Sequence, residues 1–290
     1  MATVYWIGTA TDGDWNTTSN WSTGSLPVSG DDVIIDRTSD TINLNIDQSA
    51  VTLDSLRITS GFTGQIGSVS TASTDEYLQI KVDKSAGDLT IGEGSGNGSR
   101  LINIDLSTTA CQVNIIRCNA TGAESNKPPV RLKMNNSSNV IQIAGSNSTV
   151  GLIENPGDSG ALGDVTVIDS NLITIGYDAT FTSFTQKSGN TVILETSGTL
   201  KVSGGTVRTE GTAATTSIIQ TGGIVESNST GTITSYTGIS GQLDLSKSSF
   251  ARTITTLTAS PGFTSIRNEN ITITNDNLDS DYDVFTVSVN

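Results

Sequence analysis

Apolar and polar residues alternate in short segments along most of the chain. Residues 42–46, 78–82, 101–106 and 140–143 each place Val, Ile or Leu at every second position. A period of two is the pattern of a strand with one buried face. The apolar spacing of an amphipathic helix is almost absent, so the alternation predicts an all-β protein.

Regular corners follow the strand-like segments from Gly163 onward. Many of these corners carry glycine, as in Gly204-Gly205 and Gly222-Gly223, and glycine readily adopts the positive φ of a sharp turn. The Asn-Gly and Asp-Gly dipeptides typical of antiparallel hairpins are rare. These features favour a single-stranded parallel β-helix with coils of roughly 20 to 30 residues and about three strands each; a β-sandwich is the alternative.

The three tryptophans of the chain, Trp6, Trp15 and Trp21, all lie in a polar, glycine-rich stretch at the N-terminus. A solenoid exposes its core and strand edges at each end unless they are covered. Each aromatic side chain can bury about 150 to 250 Å². We therefore expect the tryptophans, with Leu26 and Pro27, to cap the first coil. A tryptophan-lined surface for a sugar or a partner protein is the alternative.

The pattern divides the chain into an N-terminal cap (1–32), a β-helix (33–275) and an acidic linker with a C-terminal strand (276–290). The last strand alternates cleanly and can pair within its own subunit or with the sheet edge of a neighbour. We hypothesise that residues 276–290 assist assembly. The residues that would form this assembly strand are Val284, Phe285, Val287 and Val289.

The acidic linker contains Asp279, Asp281 and Asp283, which have the spacing of the start of a calcium-binding loop. An EF-hand is excluded because Val284 and Asn290 stand where that loop requires Gly and Glu. These aspartates stay weak candidates for a looser calcium site. We expect a solvated loop, and no metal or cofactor.

Composition limits the chemistry further. The chain has no histidine, which excludes Ser-His-Asp and Cys-His catalysis and His-ligated zinc. The net charge of -14 argues against nucleic acid as a partner. No apolar run is long enough to span a membrane. Cys111 and Cys118 are expected to be reduced core residues rather than a disulfide.

Carboxylates are the remaining candidates for catalysis, since glycan hydrolases work with pairs of acids. The mid-chain acids are sparse, with one or a few in each predicted coil, and we expect them to be solvated charges. They are Glu154, Asp158, Asp164, Asp169, Asp178, Glu195, Glu210 and Glu226.

The N-terminal string Trp6-x-Gly8, Trp15, Asn20-Trp21, Pro27 and Gly30-Asp31-Asp32-Val33-Ile34-Ile35 resembles the opening of right-handed parallel β-helix proteins. Such proteins occur in phage virions, as capsid decorations, fibres or spikes, and among bacterial haemagglutinin-like surface proteins. The resemblance covers about 30 of the 290 residues and implies a capped β-helix start rather than an activity.

Residues 1–8 lack the basic and apolar regions of a secretory signal, so we expect synthesis in a host cytoplasm and localisation in a virion. The resulting hypothesis is a non-enzymatic virion structural protein. Its expected partners are other virion proteins, such as the major capsid protein, and further copies of itself, with a trimer favoured. The alternatives are a tailspike-like protein that binds or depolymerises a host surface glycan, and a bacterial surface adhesin.

Overall fold

The protein is a parallel β-helix in its computed structural model, which confirms the predicted all-β solenoid. The structure describes residues 1–36, 39–69, 75–93, 101–106, 108–120, 127–153, 159–176, 178–194, 198–278 and 284–286. All but two of the strands in these ranges belong to one continuous sheet, and each strand-to-strand pairing in that sheet is parallel.

The described elements follow one another in short steps. From the N-terminus they are β1 (Thr3–Trp6), a 3-10 helix (Thr18–Asn20), β2 (Asp32–Ile35), β3 (Thr41–Ile42), β4 (Asp47–Leu53), β5 (Ser55–Thr59), β6 (Gln65–Ile66), β7 (Leu78–Val82), β8 (Leu89–Glu93), β9 (Leu101–Asp105), β10 (Gln112–Ile116), β11 (Val130–Lys133), β12 (Val140–Leu152) and β13 (Gly160–Ala161). They continue with β14 (Asp164–Ile175), β15 (Ala179–Thr180), β16 (Ser183–Gln186), β17 (Asn190–Ile193), β18 (Thr199–Val202), β19 (Thr206–Thr209), β20 (Thr215–Gln220), β21 (Ile224–Ser227), β22 (Ile233–Gly238), β23 (Gly241–Asp244), β24 (Arg252–Ala259), β25 (Phe263–Arg267), β26 (Ile271–Leu278) and β27 (Val284–Thr286).

One ladder of strands runs the length of the solenoid, and its inward side chains form two stacked columns. The first column is Val4, Val33, Leu56, Leu89, Val113, Ile141, Val165, Phe184, Leu200, Ile218, Tyr236, Leu257 and Asp276. The second is Trp6, Ile35, Ile58, Ile91, Ile115, Ile143, Val167, Gln186, Val202, Gln220, Gly238, Ala259 and Leu278. With strands about 4.8 Å apart, the ladder is roughly 58 Å long.

A second ladder closes the other side of the coils. Its innermost column passes from Ile42 through Ile66, Ile102 and Val130 and continues as far as Ser265. The long strands β12 and β14 bend across both ladders. Between the ladders lies a narrow core built mainly of Val, Ile and Leu.

The C-terminal half of the core contains buried glutamines. The side-chain amide of Gln186 donates to the Ser188 carbonyl (2.7 Å), and its oxygen accepts from the Thr191 hydroxyl (2.8 Å). Gln220 donates to the Gly223 and Gln242 carbonyls (2.9 and 3.0 Å) and accepts from the Tyr236 hydroxyl. These bonds satisfy both amides, as burial of a polar group requires.

Three details differ from the sequence-based expectation. First, β1 pairs with β2 in register Thr3 to Asp32, so the strand ladder begins at Thr3, inside the predicted cap segment. Second, β26 continues to Leu278, so positions 276–278 belong to the solenoid rather than to a linker. Third, in the coils from β16 to β25 each turn has two strands, not three, because short glycine-bearing corners join the two ladders directly.

Candidate functional site

The three tryptophans predicted to form the cap pack against one another at the N-terminal end of the core. Their exposed fractions are 2% for Trp6 and 1% for both Trp15 and Trp21. The Trp15 and Trp21 ring centroids lie 4.7 Å apart, and those of Trp6 and Trp21 lie 4.9 Å apart, both in edge-to-face geometry. This arrangement is favourable for aromatic pairs. Because the rings are buried, they present no stacking surface to a sugar or partner.

Hydrogen bonds hold this aromatic cluster in place and cover the outer edge of β1. Trp21 Nε1 donates to the Trp15 carbonyl (2.8 Å), and Trp6 Nε1 donates to Oδ2 of Asp40 (3.1 Å). The Ser22 amide donates to the Tyr5 carbonyl (2.9 Å), and the Tyr5 amide donates to the Ser22 hydroxyl oxygen (3.0 Å). The outer edge of β1 is therefore partly hydrogen-bonded, which disfavours its pairing with a strand edge of another molecule.

The polar residues around the tryptophans form the scaffold of the cap. Asn20 is fully buried, accepts from the Ala10 amide (2.9 Å) and donates to Asp12 (2.7 Å) and to the Asp14 carbonyl (3.0 Å). A hydrogen bond from the Thr17 side chain, with further bonds from the Asp14 amide and the Asn20 side chain, lowers the pKa of Asp12. Gly8 has φ of +60°, and a Cβ there would lie 1.6 Å from the Asp40 carboxylate.

Pro27 is also buried, at the point where the chain enters β2. The neighbouring Asp31 carboxylate ties this segment to the N-terminus. Its two oxygens accept from the amides of Ala2 (2.8 Å) and Val28 (3.1 Å). All four predicted cap residues thus lie within the first coil, as a cap requires.

The C-terminal candidates are only partly covered by the structure. Asp279, Asp281, Asp283, Val287 and Val289 lie outside the described residues. The backbone of β27, which includes Val284 and Phe285, pairs with β25 of the same chain. This pairing lies within one subunit, and the hypothesis that residues 276–290 assist assembly stays a prediction.

Sequence reasoning missed a groove on the side of the N-terminal half. This lateral groove has a volume of about 800 Å³, and a smaller hollow of about 250 Å³ shares Asp105 and Lys133 with it. One outward column crosses it, in which Asp47 pairs with Gln79, Gln79 with Asp105, and Asp105 with Lys133. Along the groove, the side chains of this column thus offer carboxylate acceptors and amide or ammonium donors in turn, one residue per strand and about 4.8 Å apart.

An ion cluster of two buried residues, Asp75 and Arg131, and the more exposed Lys127 builds one wall of the lateral groove. The Asp75 carboxylate accepts from the guanidinium of Arg131 (2.6 Å) and from the Lys127 ammonium (2.7 Å). Arg131 is 1% exposed, and its Nε donates to Asn103 (3.1 Å). The same guanidinium lies 5.4 Å from the centroid of the Tyr77 ring, so this cluster fixes residues 75–77 over the outer faces of β9 and β11.

The acids singled out from the sequence lie elsewhere. Asp164, Asp169 and Asp178 are exposed, and Glu210 and Glu226 are half-buried, along the coils from β14 onward. Glu154, Asp158 and Glu195 lie outside the described residues. None of the described five lines the lateral groove. The sequence did not indicate that Arg131 and Asp75 are buried. An outward-facing strand residue such as Arg131 is expected to be solvent-exposed, and only the folded structure shows that residues 75–77 cover it.

Both cysteines are free and buried, in agreement with the expected reduced state. Burial raises the pKa of the Cys111 thiol to about 12 and also raises that of Cys118. Neither thiol is therefore activated as a nucleophile.

The fold places the chain in the class of parallel β-helix proteins. No protein-family model, curated protein or solved structure matches it. Within the described ranges, no helix is long and apolar enough to cross a membrane. Over the same part of the chain, no group of three or more His, Cys, Asp or Glu side chains is placed to hold a metal ion.

Proposed function

We propose that the protein is a non-enzymatic structural component of a phage particle, as a capsid decoration, head fibre or spike. The observation that carries the proposal is the continuous ladder from Thr3 to Leu278, closed at its first strand by the tryptophan cluster. Successive coils share one core and are joined by main-chain hydrogen bonds. A stacked solenoid of this kind can bear load along its axis, since each coil supports the next.

The resemblance of the N-terminal string to phage β-helix proteins supports placing this solenoid on a virion. The string contains residues that build the first coil. Trp6 and Trp21 form the aromatic cluster, and Asp31 fastens the entry to β2. The resemblance therefore concerns a segment with a definite structural role, which makes it more informative than similarity of composition.

Immunogold electron microscopy of purified particles tests this proposal. We expect an antibody raised against the protein to label the head or the tail of particles whose genome encodes it. Particles grown without the gene serve as the control for non-specific labelling. Absence of the protein from washed, intact particles, measured by labelling and by mass spectrometry, would contradict the proposal.

A second candidate function is recognition or cleavage of a glycan, and the lateral groove is the observation that favours it. Asp47 and Asp105 flank Gln79 in register, so their Cα atoms are about two strand spacings, or roughly 10 Å, apart. Inverting glycosidases hold their two carboxyl groups roughly 6.5 to 9.5 Å apart, with a water between. Gln79 and Lys133 supply donors for hydroxyl oxygens along the same line.

This second candidate is tested by incubating the protein with host capsular polysaccharide or lipopolysaccharide and measuring chain length by size-exclusion chromatography. Shortening that is lost in Asp105→Asn and kept in Asp164→Asn supports cleavage in the groove. Asp164 is a suitable control because it is an exposed acid outside the groove. Unchanged chain length together with no binding rejects the candidate.

A further inference from the structure

Strands β16, β18, β20, β22, β24 and β26 present an outer face of small, mostly neutral side chains, which we call the hydroxyl face. Its first column is Ser183, Thr199, Ser217, Ser235, Thr256 and Asn275, one residue per coil. A second column, two residues further along each strand, runs from Thr185 to Asn277. A third column contains the residue that directly follows each of the first five strands: Lys187, Ser203, Thr221, Ile239 and Ser260.

Negative charge is excluded from the hydroxyl face although the chain as a whole carries a net charge of -14. Between positions 183 and 278, which the face spans, the sequence has six acids. Glu269 lies in the corner before β26, and Asp276 is an inward residue of β26, in register with Leu257. Glu226 and Asp244 lie in β21 and β23 of the other ladder, and Glu210 follows β19. Glu195 lies outside the described residues. The face itself contains Lys187 and Lys201 and is bounded at its N-terminal side by Asp164, which accepts from the Ser183 hydroxyl (2.7 Å).

Two isoleucines lie near the centre of the hydroxyl face. Ile219 is a half-buried outward residue of β20, and Ile239 follows β22 with 47% of its surface exposed. Ile219 is in register with Lys201 on one side and with Thr237 on the other, and Ile239 lies between Thr221 and Ser260 in the third column. An apolar centre inside a polar rim is the usual composition of a protein interface.

We propose that the hydroxyl face binds the same face of a second copy of this chain across a two-fold axis. A two-fold interface places a surface patch against itself, so its groups must be self-complementary. Hydroxyls meet this condition because each one donates and accepts, and isoleucines meet it because apolar surfaces pair with each other. Carboxylates repel their own copies. Two chains of net charge -14 therefore approach best through the acid-free face.

The size of the face predicts a weak dimer. Six strands at about 4.8 Å and three columns spanning four residues at about 3.3 Å give roughly 30 by 17 Å with side-chain radii included. Two such faces bury about 1,000 Å² in total, at the low end for a specific complex. We therefore expect dissociation in the micromolar range or weaker, and dimerisation that rises with protein concentration.

Sedimentation velocity over a series of protein concentrations tests the proposal on the purified full chain. We expect the wild type to shift towards twice its chain mass of 30.1 kDa as the concentration rises. Ile219→Asp places like charges across the two-fold axis, so this variant is expected to stay monomeric. Ile224→Asp is the matched control, since Ile224 is a half-buried outward residue of the adjacent strand β21 on the other ladder.

Circular dichroism melting of both variants separates loss of the dimer from loss of the fold. If Ile219→Asp is unfolded, Thr237→Asp serves instead, because Thr237 pairs with Ile219 in the same column. Three results would overturn the proposal: a wild type that is monomeric throughout, a wild-type trimer, or equal weakening by Ile219→Asp and Ile224→Asp. The measurement does not depend on the location of the protein on a particle, so it can fail or succeed separately from the proposed function.

Discussion

Coils in the two halves of the solenoid differ in length. Stacked core residues are 33 positions apart at Leu56 and Leu89, but only 16 apart at Phe184 and Leu200. In the long coils the extra residues leave the ladder and fold back over its outer surface, as residues 75–77 do over Arg131 of β11. The short coils contain little besides two strands and their corners. The N-terminal half thus has a walled groove, whereas the C-terminal half has a flat face.

The two halves also differ in whether their core columns contain polar side chains. In the second core column the N-terminal positions from Ile35 to Val167 are all apolar, whereas Gln186 and Gln220 occupy it further on. Narrow coils bring glutamine amides within reach of corner carbonyls, such as those of Ser188 and Gly223. The short coils thus accommodate Gln186 and Gln220, because these carbonyls satisfy their side-chain amides.

The largest expected effect is at the N-terminal end. Replacing Trp15 by Ala should destabilise the protein by roughly 3 to 5 kcal/mol, because the buried ring leaves a cavity that the polar cap cannot refill. Denaturant unfolding followed by circular dichroism measures the change. Tyr5→Ala is the control, since Tyr5 is 44% exposed. A free energy of unfolding of Trp15→Ala close to that of the wild type would contradict the role of this side chain in the cap.

The second-largest loss of stability is expected from the ion cluster in the wall of the lateral groove. Arg131→Ala should cost about 3 kcal/mol, the lower end for breaking a buried ion pair, because Lys127 still pairs with Asp75. Arg208→Ala removes an exposed pair with Glu210 and should cost less than about 1 kcal/mol. Equal losses in the two variants, measured by urea unfolding, would mean that the ion cluster does not stabilise the wall.

A smaller effect is expected from the glutamine core of the C-terminal half. Gln220→Leu should destabilise by about 1 to 3 kcal/mol, because it removes the bonds to Tyr236, Gly223 and Gln242 from a buried site. Gln142→Leu, an exposed position of β12, should change the free energy of unfolding little. If Gln220→Leu instead raises the melting temperature, hydrogen bonding is not what stabilises this column.

The smallest effect concerns pH and the cap loop. The pKa of Asp12 lies below its ordinary value of 3.8, so its contribution to stability is fully present above that value. It is lost as the pH falls from there through the lower folded-state pKa. Melting temperatures between about pH 2 and pH 6 should therefore fall less steeply with acid in Asp12→Asn than in the wild type. Asp169→Asn controls for the change in net charge, and identical slopes for all three proteins would argue against the Thr17 contact as the cause.

The sequence was sufficient to predict the fold class and the burial of the tryptophans. Period-two alternation is a local property, and glycine corners without hairpin dipeptides favour parallel stacking, as the register of β16 to β25 shows. The number of strands per coil was not predicted correctly for β16 to β25, because a corner and a third short strand have similar composition. The lateral groove was not predicted, since Asp75 and Arg131 are 56 positions apart in the chain.

By itself, then, the sequence determined which residues face inward, since alternation sets this one strand at a time. Only the tertiary structure decided which outward residues became neighbours. Ser183, Thr199 and Ser217 lie in a column because each coil between them returns the chain to the same position on the ladder. Asp47 and Asp105 lie in one groove because longer coils bring them into register with Gln79. Register depends on how each coil folds back onto the previous one, and coils of 16 to 33 residues do so here, so a local segment carries no signature of it.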